Sequence, residues 1–251
     1  MIHIYNVVNR RYRFMLVLPF VFFTLNFCYA GPPFNTDDPE PVEFKHWEFY
    51  LSSAMNFDKA DFNATLPHFE VNYGLIPNVQ VHLLIPVEYT RTSDNHNYGI
   101  GNTELGFKYR FYKDSSDFQI GIFPLVEVPT SGKWEHIGHS NFQIYLPLWL
   151  QKSWGKLTTY GGTGIWYNSR TQQQNWLYVG WECQYSFSEL ITLGGELYYQ
   201  TASKKSGESD MGFNMGGFID LSGKYHILFS LGHSLMSSNS YFVYFGYLFT
   251  I

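Results

Sequence analysis

Past residue 30 the chain has no long apolar run, and nowhere do ~18 consecutive apolar residues occur. A membrane-spanning helix needs about 20, so that class is excluded for this part of the chain. Charge is sparse: only 15% of residues are Asp, Glu, Lys or Arg, against about a quarter in ordinary soluble domains. Cysteine is limited to Cys28 and Cys183, too few for a disulfide framework. Phosphate-binding glycine loops, dinucleotide fingerprints and zinc-protease helix motifs are missing, so no cofactor is expected. Basic residues are outnumbered, 16 against 21 acidic, for a formal charge of −5, and no nucleic-acid partner is expected of such a balance. Aromatic residues, by contrast, make up 20% of the chain, with 20 Tyr, 23 Phe and 7 Trp. Many rings, few charges and a slightly negative mean hydropathy point to strands that face lipid on one side only.

Residues 1–30 read as a separate unit. Arg10, Arg11 and Arg13 give a basic start, and Met15 to Phe27 is apolar apart from Thr24 and Asn26. Cys28-Tyr29-Ala30 then places small residues at −3 and −1 before Gly31. This predicts a cleaved secretory signal; Phe27, where a lipoprotein signal wants a small residue, argues against lipidation. Cleavage removes three basic residues and no acidic ones, moving the formal charge to −8, and leaves Cys183 as the lone cysteine. Residues 31–45, GPPFNTDDPEPVEFK, hold four Pro and four acids. They are expected to form no regular element, and to serve as a periplasmic lead-in or a short piece tucked into a barrel mouth.

From His46 onward the apolar period is two. Trp47, Phe49, Leu51, Met55 and Phe57 alternate with Glu48, Tyr50, Ser52 and Asn56; Leu177, Val179, Trp181, Cys183 and Tyr185 alternate with Tyr178, Gly180, Glu182 and Gln184. Segments of this kind match the length of tilted membrane strands. Twelve are expected, at about 46–57, 64–73, 79–90, 100–113, 118–129, 140–152, 157–168, 175–186, 189–200, 211–222, 225–235 and 241–251. Tight turns alternate with longer polar loops, which puts the turns and both chain ends in the periplasm. Residues 46–251 are therefore expected to form an all-β, antiparallel transmembrane barrel of about 12 strands in the outer membrane, in contact with its lipid. A sheet can cross a membrane only when closed.

The last strand carries Tyr241, Val243, Phe245, Tyr247, Phe249 and Ile251 on one face. Its Tyr244-x-Gly246-x-x-Phe249-x-Ile251 pattern looks like the C-terminal signal read by barrel-assembly machinery, with Ile in place of a terminal Phe or Trp. A soluble sandwich would leave this aromatic edge unpaired.

Parity assigns the opposite face to the lumen. It carries Glu48, Glu70, Gln80, His82, Glu88, Glu104, Lys108, Arg110, Gln119, Glu127, Gln143, Gln151, Glu182, Gln184, Glu196 and Asp220. Eight carboxylates facing two bases would favour cations in an open bore, or would pair with one another in a closed one. Tyr50, Phe123, Tyr145, Trp149, Tyr160, Trp166, Tyr178, Tyr198 and Tyr244 share that face; they offer either a path for apolar or aromatic solutes or plain packing. Glu135-His136-x-x-His139 with His96 could approach a divalent metal, but the spacing is not helical and no metal is expected. His233 faces lipid and Ser53 lies on the lipid face of the first strand; with no carboxylate partner evident, no catalytic residue is assigned.

Several stretches resemble the outer-membrane family labelled "MetA-pathway of phenol degradation". They are GPPFNTDDPEP (Gly31–Pro41), Trp47-Glu48-Phe49-Tyr50, GIGNTELGFKYRF (Gly99–Phe111), GIFPLVEVPTSG (Gly121–Gly132) and LPLWLQKSWG (Leu146–Gly155). The resemblance covers the first half of the mature chain and a little beyond, and implies a transporter of hydrocarbons. The leading expectation is a passive channel or transporter for small solutes, with apolar or aromatic ones among the candidates. The alternatives are a structural barrel with a closed lumen and a lipid-modifying enzyme.

Overall fold

A computed structural model describes residues 32–58, 61–131, 137–168, 170, 172–236 and 240–251. The expected signal, residues 1–30, and the Glu135-His136 pair lie outside the described residues.

The chain folds as one antiparallel sheet of fourteen segments: β1 (Trp47–Phe57), β2 (Phe62–Ile76), β3 (Val79–Arg91), β4 (His96–Ile100), β5 (Thr103–Lys113), β6 (Phe118–Ile122), β7 (Leu125–Val128), β8 (Gln143–Trp154), β9 (Leu157–Asn168), β10 (Trp176–Ser186), β11 (Ile191–Gln200), β12 (Asp210–Ser222), β13 (Tyr225–Ser234) and β14 (Tyr241–Thr250). β4 and β5 both pair with β3, at its two ends, and so form one barrel strand. β6 and β7 likewise share the neighbours β5 and β8. The result is a 12-stranded barrel, closed where β1 pairs with β14 from Glu48↔Thr250 to Phe57↔Tyr241. Closure leaves no edge to solvate, which is what allows a sheet to sit in hydrocarbon.

The alternation seen in the sequence is the in–out alternation of the wall. Along β10, Trp176, Tyr178, Gly180 and Glu182 are buried, while Leu177, Val179, Trp181 and Cys183 are exposed. β8 repeats the pattern with Gln143, Tyr145, Pro147 and Trp149 inside and Ile144, Leu146 and Leu148 outside. The outward side chains form the lipid-facing belt; the inward ones are polar or aromatic.

Local chemistry explains the irregularities. Pro67 cannot donate to the ladder, and the β1–β2 and β2–β3 registers shift across it, between Thr65 and His68. Pro124 separates β6 from β7 for the same reason. Pro147 in β8 lies one residue off its level, so the β6–β8 and β7–β8 pairings stop at Ile122↔Leu148 and resume at Leu125↔Tyr145. The tight turns place Asn78, Asp117 and Gly155 at φ of 65°, 60° and 61°, a region that Asn, Asp and Gly enter most readily.

Several boundaries differ from expectation by two to four residues: β8 and β11 start later, at Gln143 and Ile191, and two other differences extend strands. Residues 91–99 were expected as a polar loop, but Thr92 closes a turn on Asn95 (Thr92 N to Asn95 O 2.8 Å; Asn95 N to Thr92 Oγ1 3.2 Å). The segment after it returns as β4 against the outer half of β3. β2 and β3 also run closer together than the pattern suggested, leaving only residues 77–78 as their turn.

Candidate functional site

The acidic, proline-rich segment, expected as a lead-in or as a short piece tucked into the barrel mouth, is held inside the barrel. It passes into the lumen and docks on strands all around the barrel. The backbone N–H groups of Asn35 and Thr36 each donate to the Glu196 carboxylate of β11 at 2.7 Å. Thr36 Oγ1 lies 3.0 Å from the Tyr178 hydroxyl of β10. Ser230 of β13 donates to the Pro33 carbonyl at 2.5 Å, and Val42 N donates to Gln80 of β3 at 2.9 Å. The segment caps two of its own backbone donors, Asp38 N on Asp37 and Glu40 N on Asp38, and the barrel wall takes those of Asn35, Thr36 and Val42.

Its charges meet the two inward bases expected from parity. The Lys108 ammonium of β5 sits 2.9 Å from Asp37, 3.7 Å from Asp38 and 5.0 Å over the Phe123 ring. Arg110 reaches Glu40 at 3.2 Å, and the same carboxylate accepts from Gln151 of β8 at 3.0 Å. Asp38 keeps a third of its side chain accessible, yet it is set deep among protein atoms. Burial and the neighbouring Asp37 and Glu40 charges push its carboxyl up to about 7, against the pull of Lys108.

A buried acid–imidazole network covers the β2–β3–β5 wall. His82 lies 3.1 Å from Glu104 through Nε2 and 2.8 Å from Asn72 through Nδ1; Asn72 donates to Glu70 at 2.8 Å, and His68 stands 3.6 Å from Glu70. Towards the outer loops, His139 bonds to Glu127, and Glu88 accepts the Gly138 N–H at 3.1 Å. Burial lowers the His139 imidazole, but its bond to Glu127 and the nearby carboxylates outweigh that, so its pKa is raised. Glu48 accepts from Tyr50 at 3.0 Å, and Asp220 pairs with His226 at 2.6 Å.

The facing wall is aromatic. Tyr145 stacks on Trp166 (4.8 Å between centroids, 14° between planes), and Trp166 stacks on Trp176 (5.3 Å, 7°). Trp149 meets Tyr178 edge-on at 6.3 Å, and Tyr178 stacks on Tyr198 at 6.3 Å. Trp149 and Trp166 are almost fully buried, and their indole N–H groups have no hydrogen-bond partner among the described residues. The staircase descends from the outer end of β10, at Trp176, to Tyr178, which touches Thr36.

Of the fourteen lumen candidates, Glu70, His82, Glu104, Lys108, Tyr145, Trp149, Trp166, Glu182 and Glu196 are buried and Glu48, Glu88, Arg110, Glu127 and Asp220 half-buried; both expectations for their charges, a free acidic bore and mutual pairing in a closed one, bear on the contacts they make. Lys108, Arg110 and Glu196 hold the N-terminal segment, while Glu70, His82, Glu104 and Glu127 pair with one another or with His139. The tally of eight carboxylates against two bases overlooked His68 and His226, which share the same parity, as well as the segment's own N–H groups. Asn72, Trp176 and Asn214 were also readable from parity and were missed. Of the terminal-strand signal, Tyr244 and Gly246 turn inward. Phe249 contacts Phe49 and Tyr225 on the outside, and Ile251 exchanges both backbone bonds with Trp47 (2.7 and 3.0 Å). His233 packs edge-on against Tyr241. Ser53 aligns with Phe245, and through it with Phe229, so it lies two strands away and four residues down from His233. Among the described residues no three His, Cys, Asp or Glu side chains converge as a metal site.

A closed 12-stranded antiparallel barrel with a lipid-facing belt and a polar interior is the architecture of outer-membrane channels and porins. Solved structures share it with this chain. The COG4313 outer membrane channel from Pseudomonas putida F1 aligns with a TM-score of 0.75 at 11% identity, over 85% of this chain and 98% of that one. The NanC porin aligns at 0.60 with 8% identity, and the KdgM porin at 0.57 with 13%, each over 80% of this chain and 98% of the other. At such identities the likeness is one of fold. No protein-family model and no curated protein matches the chain, so the family resemblance of its motifs has no such support.

Proposed function

We propose that this protein is an outer-membrane channel for small solutes with apolar or aromatic bodies, kept shut at rest by residues 32–45. The observation that carries this reading is the stacked staircase Trp176–Trp166–Tyr145 with Trp149 and Tyr178 beside it. It is a continuous ring surface on the inside of a membrane barrel, where packing of the wall alone would not require buried indole N–H groups without partners. The similarity of fold to solved outer-membrane channels and porins supports the location, as does the expected signal at residues 1–30. The barrel-assembly machinery is then the partner during biogenesis, reading Tyr244, Gly246, Phe249 and Ile251.

Vesicles with a lipopolysaccharide outer leaflet, which resist apolar solutes, provide the test. With a Lys108→Met variant inserted, in which the N-terminal segment is loosened, a small neutral aromatic solute is expected to enter faster than a sugar of similar volume, and adding Trp166→Ala is expected to narrow the gap. Entry no faster than in empty vesicles, even when the N-terminal segment has been loosened by substitution, overturns the channel reading. That result favours a closed structural barrel, for which the extensive seating of residues 33–42 is the supporting observation.

A further inference from the structure

The N-terminal segment runs through the lumen in one direction. Its anchors lie at the short-turn end, where Phe44 bridges to Gly74 of β2 and Val42 N donates to Gln80 of β3. It passes Arg110 at Glu40 and Lys108 at Asp37. Pro33 then accepts from Ser230 in the middle of β13. Pro32, Pro33 and Phe34 finish against His68, Glu70, Phe242 and Tyr244. Phe242 is the second residue of β14, whose start at Tyr241 is at the long-loop end. The described chain thus begins inside a closed barrel, past its own anchors.

A chain that continued before Pro32 would have two ways out. It would run on toward the long loops or double back beside the segment. The second way is filled: Phe34, Thr36 and Asp37 are 2% exposed or less, and the wall is closed around them at β1–β14. The first way would carry the expected signal, with its apolar stretch Met15–Phe27, out through the mouth opposite the anchors. An apolar stretch is driven into a membrane or a protein interior, not into the water beyond a barrel mouth. A leader still attached therefore works against the seat.

Beside Pro32 lies a small cavity with room for about one water-sized group, and the Glu70 carboxylate is part of its lining. Oε1 of Glu70 accepts from Asn72 at 2.8 Å. Oε2 meets the His68 imidazole at 3.6 Å, beyond hydrogen-bond length. Consecutive Cα atoms are about 3.8 Å apart, so an amino group on Gly31 stays close to the cavity that Pro32 lines. A free α-amino group has an ordinary pKa of about 8 and is an ammonium at neutral pH, with three donors to offer. Glycine brings it there without a side chain. We propose that cutting before Gly31 is what lets residues 32–45 take their seat, and that the new α-ammonium group is held in this cavity by Glu70. A peptidase outside this chain makes the cut: water is consumed, the Ala30–Gly31 peptide bond breaks, Ala30 leaves with a carboxylate and Gly31 keeps the ammonium. The proposal rests on the cleavage expected before Gly31, and not on whether solutes cross the barrel.

The test compares the uncut chain, residues 1–251, with the chain starting at Gly31, both refolded from urea into the same vesicles. Thr36→Cys, with Cys28→Ser and Cys183→Ser where those residues are present, reports release of the segment through its rate of thiol labelling. The Gly31 chain is expected to label at least about tenfold more slowly than the uncut chain, and acetylation of Gly31 alone, which removes one partner of a buried pair, is expected to undo about tenfold of that protection. Glu70→Gln is expected to raise labelling of the Gly31 chain, and acetylation to add nothing further in that variant. Equal labelling of cut and uncut chains overturns the link between processing and seat. Acetylation without effect, or with an effect undiminished in Glu70→Gln, overturns the pairing with Glu70. The comparisons of cut, uncut and acetylated chains leave the wall unsubstituted and decide the matter even if the variant does not fold. Sequencing of the chain recovered from outer membranes is expected to begin at Gly31; a different start overturns the proposal through its premise, independently of the labelling.

Discussion

Replacing Lys108 with Met should unseat the N-terminal segment without weakening the barrel. Methionine keeps the apolar stem against Phe123 and removes only the ammonium, which now lies 2.9 Å from Asp37 and 3.7 Å from Asp38. Deleting one partner of a buried ion pair costs about 3–5 kcal/mol, mostly because the other charge is left unpaired. Asp38 is a third accessible and its carboxyl is already pushed up to about 7, so it can take up a proton when the ammonium goes. Asp37, fully buried, cannot escape as easily. The lower end of the range is therefore expected, about 3 kcal/mol, or on the order of 100-fold in the seating equilibrium. Ladder hydrogen bonds of β5 are backbone bonds to β3, β6 and β7 and remain. Planar-bilayer recording should show brief openings of the variant where the parent is closed, and its urea unfolding midpoint should stay within error of the parent. Thiol labelling at Thr36→Cys should rise in step with the openings. Conductance and labelling both within twofold of the parent would refute the view that charge at Lys108 holds the segment in place.

Gly180→Ala reaches the same seat without touching any charge: a Cβ there would occupy the place of Thr36 Oγ1. The Thr36–Tyr178 contact should be lost and labelling at position 36 accelerated, while the β10 ladder still forms on gels that separate folded from unfolded barrels. At the outer end, the raised pKa of His139 makes its bond to Glu127 a tie that is complete below the ordinary histidine value. That tie is lost as pH rises through the raised one. Amide exchange at Gly138, whose N–H donates to Glu88 beside this pair, should speed up between neutral and alkaline pH, and His139→Gln should flatten that profile.

Period-two alternation located every barrel strand and set the inward face, because one wall meets hydrocarbon and the other does not; a one-residue slip would place Glu182 in lipid and Trp181 in the lumen. Some of the small errors fell where local hydrogen bonds extend a strand past its apolar pattern, as at Thr92–Asn95 and His96–Ile100. The N-terminal segment was illegible for a different reason. Its conformation is fixed by backbone N–H groups of Asn35 and Thr36 donating to Glu196, some 160 residues away, and nothing local announces that partner. Composition supplied the charges of the lumen but not their pairing. Glu196 and Glu182 carry the same parity and the same residue type, and only the folded segment distinguishes the one that accepts from Asn35 and Thr36 from the one that does not.

The seam between β1 and β14 also dictates an order of events. Residues 32–45 are enclosed by a wall that becomes continuous only when the last strand meets the first, with Trp47 and Ile251 as the final clasp. Phe44 bridges to Gly74 of β2 and Lys45 N donates to Gly74 O, so the segment is tethered at the base of the first hairpin before the twelfth strand exists. The barrel is in this sense wrapped around residues 32–45, which lie inside the wall that the last strand closes. An N-terminal truncation should therefore show itself in the rate of closure before it shows itself in the finished wall.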